Sequence, residues 1–230
     1  MATLWIKGIV FDFDATLVDL GEHVRWKDAQ GEVVEAYRAC GCSEDDLQRC
    51  TTKGLFNFMY EMDTKLSVTL PEDEMDEIRA GVWRILDYYE VEGVERCGFM
   101  PGTIETLDWL REHSVKMGVC TSNSEEVARK VLSKLLVSDY FDSVVGRRKG
   151  LLMKPHPDQV SECFRQIHVE PSDGVMIGDS HNDILAGKAT GARAIGIPVY
   201  FTRMDAMAAA KPDAMIKSLW KLPEALLALR

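Results

Sequence analysis

Two rhythms of apolar and polar positions divide the chain. Near its start, Ile9, Val10, Phe11 and Phe13 form a short run of β-branched and aromatic residues. Such a run predicts a buried strand of a parallel sheet. From about Leu20 to Val91 the apolar residues recur at helical spacing, and no strand is predicted there. The clearest helix opens at Pro71, which suits a first turn, and continues through Glu72, Asp73 and Glu74, where the helix dipole favours anions. Met75, Ile78, Val82, Ile85, Leu86 and Tyr89 then line one face. Further helices are predicted over residues 33–39 ending near Gly41, from a Ser43 cap through Cys50, and after Gly54.

Beyond Glu92-Gly93 strand and helix alternate. Helices are predicted from Pro101 with Ile104, Leu107 and Leu110 on one face, around Val127, Val131 and Leu135, over 157–167, up to Gly191, and at the C-terminus. Strands are predicted at 117–120, 144–145, 175–177, 194–197 and, as an edge, 214–216. This alternation implies a parallel sheet covered on both faces, to which the first strand also belongs. The expected fold is therefore α/β: a doubly wound, Rossmann-like core from residues 1–19 and 93–230. An all-helical domain over 20–92 is inserted after the first strand.

Composition narrows the function classes. The 230 residues are 46% hydrophobic and 28% charged, an ordinary globular balance, with a formal net charge of −10. That sign argues against nucleic acid or an anionic membrane as partner. No apolar run approaches the roughly 20 residues of a membrane helix, and Asp12 and Asp14 interrupt the one candidate signal region. The six cysteines lack zinc or disulfide-scaffold spacing, so a reduced, cytoplasmic setting is expected.

The candidate chemistry sits where strands end. Asp12 and Asp14, spaced i and i+2, are expected to emerge together at the C-terminal edge of the first strand, where ligands bind in open α/β sheets. Two adjacent carboxylates repel each other, and a hard cation such as Mg²⁺ relieves that. Three more loops follow strands: Thr121-Ser122-Asn123, Lys154-Pro155-His156-Pro157, and Gly178-Asp179-Ser180-His181-Asn182-Asp183. Thr121 and nearby backbone N–H groups could grip a phosphate at a helix N-terminus, although Asn123 with Glu126 also reads as a capping box. Lys154 reads alone as a solvated lysine. Ser180 and Asp183 form a second cap signal, whereas Asp179 at the strand end has no such structural explanation.

Taken in order, these segments resemble the haloacid dehalogenase superfamily. DFDATLVD is similar to its D-x-D-x-T motif, CTSN to its second motif, KPHP to the third-motif lysine and GDSHNDI to the fourth. FMPGTIETLDWL, LLVSDYFDSVVG and AGKATGARAIGI resemble members around phosphoglycolate phosphatase and phosphoglucomutase. The resemblance implies a phosphoric monoester hydrolase with Asp12 as nucleophile and Asp14 as general acid and base. It implies Mg²⁺ held by Asp12, the Asp14 carbonyl and Asp179, with Asp183 behind them, and Thr121, Ser122 and Lys154 on the phosphoryl oxygens. Thr16 would steady the loop that carries Asp14. A small phosphorylated metabolite is the implied substrate and the helical domain the implied cap, with a monomer or homodimer as the assembly.

Departures matter as much. Ala15 stands where the family usually has glycine, a cost of roughly 1 kcal/mol if the site needs positive φ. Asp14 points to phosphate chemistry, because dehalogenases of the superfamily lack a second acid. Within the cap, Lys53-Gly54 resembles the loop that closes over substrate, though Gly54 also reads as a plain helix boundary and Lys53 as surface charge. Mutases of the superfamily carry an arginine a few residues further on, where Leu55, Phe56 and Asn57 stand here. A phosphomutase, a pyrophosphatase, a receiver-like signalling protein and a non-catalytic phosphate binder remain as alternatives.

Overall fold

Residues Gly8–Phe11 form β1, and all four are buried. Ile9 and Phe11 pack into one apolar cluster with Val119, Val175 and Ile177, whereas Val10 packs into another with Cys120, Val145 and Met176. That period-two split is what a strand covered on both faces requires. The computed structural model describes residues 4–48, 54–199 and 201–229.

After β1 come helices α1 (Trp26–Ala39), α2 (Glu44–Gln48), α3 (Leu55–Leu66) and the long α4 (Glu72–Val94). No strand occurs among the described residues of this helical segment. Its predicted helices are present over the described residues, which exclude the expected end of the second at Cys50, and α1 starts seven residues before the expected 33 because Ala29 and Val33 both face the core. Along α4, Met75, Val82, Leu86 and Tyr89 are buried as the periodicity requires. Alternation then resumes with α5 (Thr103–Glu112), β2 (Lys116–Ser124), α6 (Glu125–Lys134), β3 (Ser143–Arg147) and α7 (Asp158–Gln166). It continues with β4 (Gly174–Gly178), α8 (His181–Ala189), β5 (Arg193–Gly196), α9 (Met204–Ala209), β6 (Ala214–Met215) and α10 (Leu222–Ala228). Helix α9 was not expected from the sequence; its one buried residue, Met207, carries too little periodicity to announce it.

The six strands are all parallel in the order β3-β2-β1-β4-β5-β6. Strand order switches between β1 and β4, and the C-terminal ends of these two strands are where open α/β sheets bind ligands. The segments entering and leaving the helical region run side by side: Met100 N–H donates to the Leu17 carbonyl at 2.9 Å, and Gly98 N–H to the Asp19 carboxylate at 2.6 Å. The C-terminal half of α4 packs against β2 and α6, so this helix reaches from the helical segment onto the sheet.

Candidate functional site

Asp12 follows directly on β1, and its N–H donates to the Ile177 carbonyl of β4 at 2.7 Å. This bond aims the residue between the two central strands. Asp179 follows β4, and Asp183 lies in the first turn of α8. Carboxylate oxygens of Asp12, Asp179 and Asp183 lie within 4.8 Å of one another, and all three residues are buried. Lys154 enters from the loop between β3 and α7 and is itself buried, not solvated. Its ammonium donates to Asp12 and Asp183, each at 2.5 Å, and to the Cys120 carbonyl at 3.0 Å.

Asp183 does two jobs at once. One oxygen accepts from the Ser180 N–H at 3.0 Å and hydroxyl at 2.6 Å, completing the predicted cap, while the other meets Lys154. Gly178 makes room for it, since a Cβ there would lie 2.3 Å from the Asp183 carboxyl carbon. Thr16 donates to Asp12 at 3.3 Å.

Asp14 departs from the simple i, i+2 expectation. β1 ends at Phe11, so both acids lie beyond the strand, and the Asp14 side chain stands outside the three-carboxylate cluster. It is half-buried and accepts the Gly21 N–H at 2.7 Å. A Cβ at Gly21 would fall 2.4 Å from an Asp14 oxygen, so glycine permits the close approach. Directly after the second acid, Ala15 has φ of 61°, the left-handed conformation for which the family's usual glycine is suited.

Burial sets the proton affinities. It pushes Asp12 up to about 6, with Lys154 opposing and Asp183 adding to the rise. It pushes Asp14 up to about 7, with the Gly21 N–H opposing. Asp179 is raised well above the usual carboxylate range by burial and by Asp12 and Asp183. Burial alone would lower the Lys154 ammonium, but Asp12 and Asp183 outweigh it and hold it above its usual value. The donor set suits Mg²⁺: three carboxylates face one ammonium, leaving surplus negative charge on hard oxygen ligands when all ionise.

Thr121 and Ser122 lie on the extended end of β2, beside the Cys120 carbonyl that Lys154 holds. Gln159 of α7 stitches the two loops together, donating to the Thr121 carbonyl at 3.0 Å and accepting the Lys154 N–H at 3.3 Å. The expected Asn123–Glu126 capping box does not form. Ser124 is the N-cap of α6, Glu126 pairs with Lys130, and Asn123 turns inward to Thr121 and Glu90. Gly54 starts α3 with φ of 78°, as a helix boundary would, and Lys53 lies outside the described residues. A cavity of about 500 Å³ opens between Met59, Trp83 and Arg79 of the helical segment and Met153 and His156 of the loop, and neither Lys154 nor the clustered acids line it. Its Arg79 is already paired with Asp63 and Glu72.

Sequence reasoning missed three buried polar residues that shape this site: Glu90, Arg147 and Gln159. A signal existed for the first, because Glu90 falls four residues after Leu86 and continues the apolar face of α4. Gln159 had none, since a glutamine two residues into a helix ordinarily faces water.

A phosphoglycolate phosphatase of Vibrio vulnificus strain CMCP6 is 27% identical over 223 residues, spanning 96% of each chain. Another, from Agrobacterium fabrum, is 27% identical over 217 residues, spanning 94% of this chain and 91% of its own. The crystal structure of CbbY from Rhodobacter sphaeroides in complex with phosphate superposes with a TM-score of 0.67 at 21% identity, covering 97% of this chain and all of that one. The family description "Haloacid dehalogenase-like hydrolase" matches residues 9–197, a span that takes in Asp12, Thr121, Lys154, Asp179 and Asp183, and the chain belongs to that family.

Proposed function

We propose that this hydrolase is a Mg²⁺-dependent phosphatase of small phosphorylated metabolites, working through an aspartyl-phosphate. The observation that carries the reading is the pairing of two unlike acids at one strand end. Asp12 is buried against Lys154 within a metal-suited cluster, whereas Asp14 sits apart, half-buried, with its carboxyl pushed up to about 7. Burial raises both carboxyls, so it is placement that separates their roles: Asp12 lies on the ammonium among the clustered acids, and Asp14 lies outside them on the Gly21 N–H.

In this mechanism an Asp12 oxygen forms a bond to phosphorus as the ester P–O bond breaks, and Asp14 gives its proton to the departing oxygen. Asp14, now ionised, takes a proton from water, which attacks the aspartyl-phosphate and frees inorganic phosphate and Asp12. Thr121, the backbone at Ser122 and the Lys154 ammonium stabilise charge on the transferring phosphoryl group. Mg²⁺, held by Asp12, the Asp14 carbonyl and Asp179 with Asp183 behind, would offset the repulsion between nucleophile and phosphate.

The phosphoglycolate phosphatases among the relatives support a small, acidic phosphate ester as substrate. Residues 20–92 would act as a cap, with Lys53 and Gly54 at its closing loop. On that cap Asn57 stands near the mutase arginine position, and its amide oxygen accepts from Asn182 of α8 at 2.8 Å. A neutral amide there favours hydrolysis over phosphoryl return to a second sugar phosphate. The test is phosphate release from a panel including phosphoglycolate, sugar phosphates, pyrophosphate and an aryl phosphate, with Mg²⁺. Turnover of a monoester is expected; no release from any of them would overturn the reading.

A further inference from the structure

One buried ion pair has no part in the chemistry above. Glu90 is fully buried near the end of α4, and the Arg147 side chain at the end of β3 is 1% exposed. The guanidinium donates through two nitrogens to the two carboxylate oxygens, at 3.0 and 3.2 Å. This forked geometry fixes orientation as well as charge. Arg147 also donates to the Ser122 carbonyl at 2.7 Å and to Asp87 at 2.6 Å. Glu90 in turn accepts from the Asn123 side-chain amide at 3.1 Å and from the Ser124 N–H at 2.9 Å.

Between them, Arg147, Glu90 and Gln159 hold every residue from Thr121 to Ser124. The consequence is geometric. In a trans peptide the carbonyl and the following N–H point opposite ways. Turning the Thr121 carbonyl to Gln159 and the Ser122 carbonyl to Arg147 therefore sets the directions of the Ser122 and Asn123 N–H groups. Because Glu90 takes the Asn123 amide nitrogen, the amide oxygen is left to accept from the Thr121 hydroxyl at 2.9 Å, and the Asn123 N–H donates back to that hydroxyl's oxygen at 3.0 Å. A buried ion pair adds little net stability over an apolar pair of similar size, so fold stability alone does not explain this one.

We propose that Arg147 and Glu90 are positioning residues of the phosphate loop. They hold the Thr121 hydroxyl, through Asn123, and the Ser122 N–H in the arrangement that receives the phosphoryl oxygens, and they tie that arrangement to α4. The inference rests on the phosphatase reading. Donors fixed before the reaction need no reorganisation during it, which is where such a clasp acts. It also couples two parts of the chain, since α4 belongs to the helical segment and the loop to the sheet.

The test uses Arg147→Lys, Glu90→Gln and the neutral double variant Glu90→Gln/Arg147→Met. Each is made in the wild-type chain for kinetics and in an Asp12→Asn background for binding. Inorganic phosphate binding is measured by calorimetry with Mg²⁺ present, next to a thermal melt of each protein. Phosphate affinity and kcat should fall together by about ten- to a hundred-fold in each single variant. The double variant should melt closer to its parent than Glu90→Gln does, without regaining phosphate affinity. Lowered melting with unchanged phosphate affinity, or recovery of both in the double variant, would overturn the positioning role alone. A parent that neither binds phosphate nor hydrolyses any ester would instead overturn the phosphatase reading, and this inference with it.

Discussion

The Lys154 ammonium lies 2.5 Å from a carboxylate oxygen of Asp12, a residue 142 positions earlier in the chain. Both side chains are buried, so each offsets the other's desolvation. Replacing Lys154 by Met should abolish hydrolysis and leave the acids of the cluster without their cation. Breaking a buried pair from one side typically costs about 3–5 kcal/mol. Urea melts should show a loss of that order at pH 8 and a smaller one at pH 5, where the acids protonate. An equal loss at both pH values would mean that charge is not the cause.

Asp12→Asn keeps the shape of the side chain but removes the nucleophile. Hydrolysis should fall to background while the melting profile stays cooperative. A folded variant that still releases phosphate near the wild-type rate would place the nucleophile elsewhere.

Activity should follow a bell in pH. Asp12 must be ionised to attack, so kcat/KM rises with pH through about 6, lower when Mg²⁺ is bound. Asp14 must be protonated to serve as acid, so kcat/KM falls through about 7. Substrates with a good leaving group, such as an aryl phosphate, should lose less on the alkaline side. A profile flat from about pH 5 to 9 for an alkyl phosphate would exclude these assignments.

Stability should depend on pH and cation together. Asp12, Asp14 and Asp179 bind protons more tightly folded than unfolded. The folded state therefore holds protons that the unfolded chain releases above the usual carboxylate pKa of about 4. Without metal, stability should decline as pH rises from about 4 through 7. Mg²⁺ binds the ionised acids, so it should raise Tm more at pH 8 than at pH 5, and chelator should abolish activity until Mg²⁺ is restored. Ca²⁺ should inhibit, because its looser shell misplaces the nucleophile.

Ala15 holds φ of 61° directly after Asp14, with its N–H donating to the Val18 carbonyl at 2.7 Å. Ala15→Gly should relieve roughly 1 kcal/mol of backbone strain, raising Tm by about 2–4 °C in a chain of this size. Phosphatase activity should stay near the parent level. A lower Tm would show that the turn is not strained.

Much of this protein was determined locally. The strand run at Ile9–Phe11, the helical face of α4 and the later alternation were legible because burial imposes a period of two on strands and 3.6 on helices. Asp12, Asp179 and the Ser180–Asp183 cap were legible for a related reason: strand ends and helix starts have local signatures. Ala15 could be questioned from sequence only through the resemblance, whose members usually carry glycine there, and its φ of 61° was decided by the fold. Lys154 could not be told from a surface lysine by composition, since its burial depends on acids 142 and 29 residues away. Nor could the sequence show that Asn123 abandons a cap for Glu90, or that Arg147 closes on the same carboxylate across 57 residues. A cap is settled by neighbours within one turn. A buried charge is settled by whichever opposite charge the folded chain brings to it, and only the tertiary structure makes that choice.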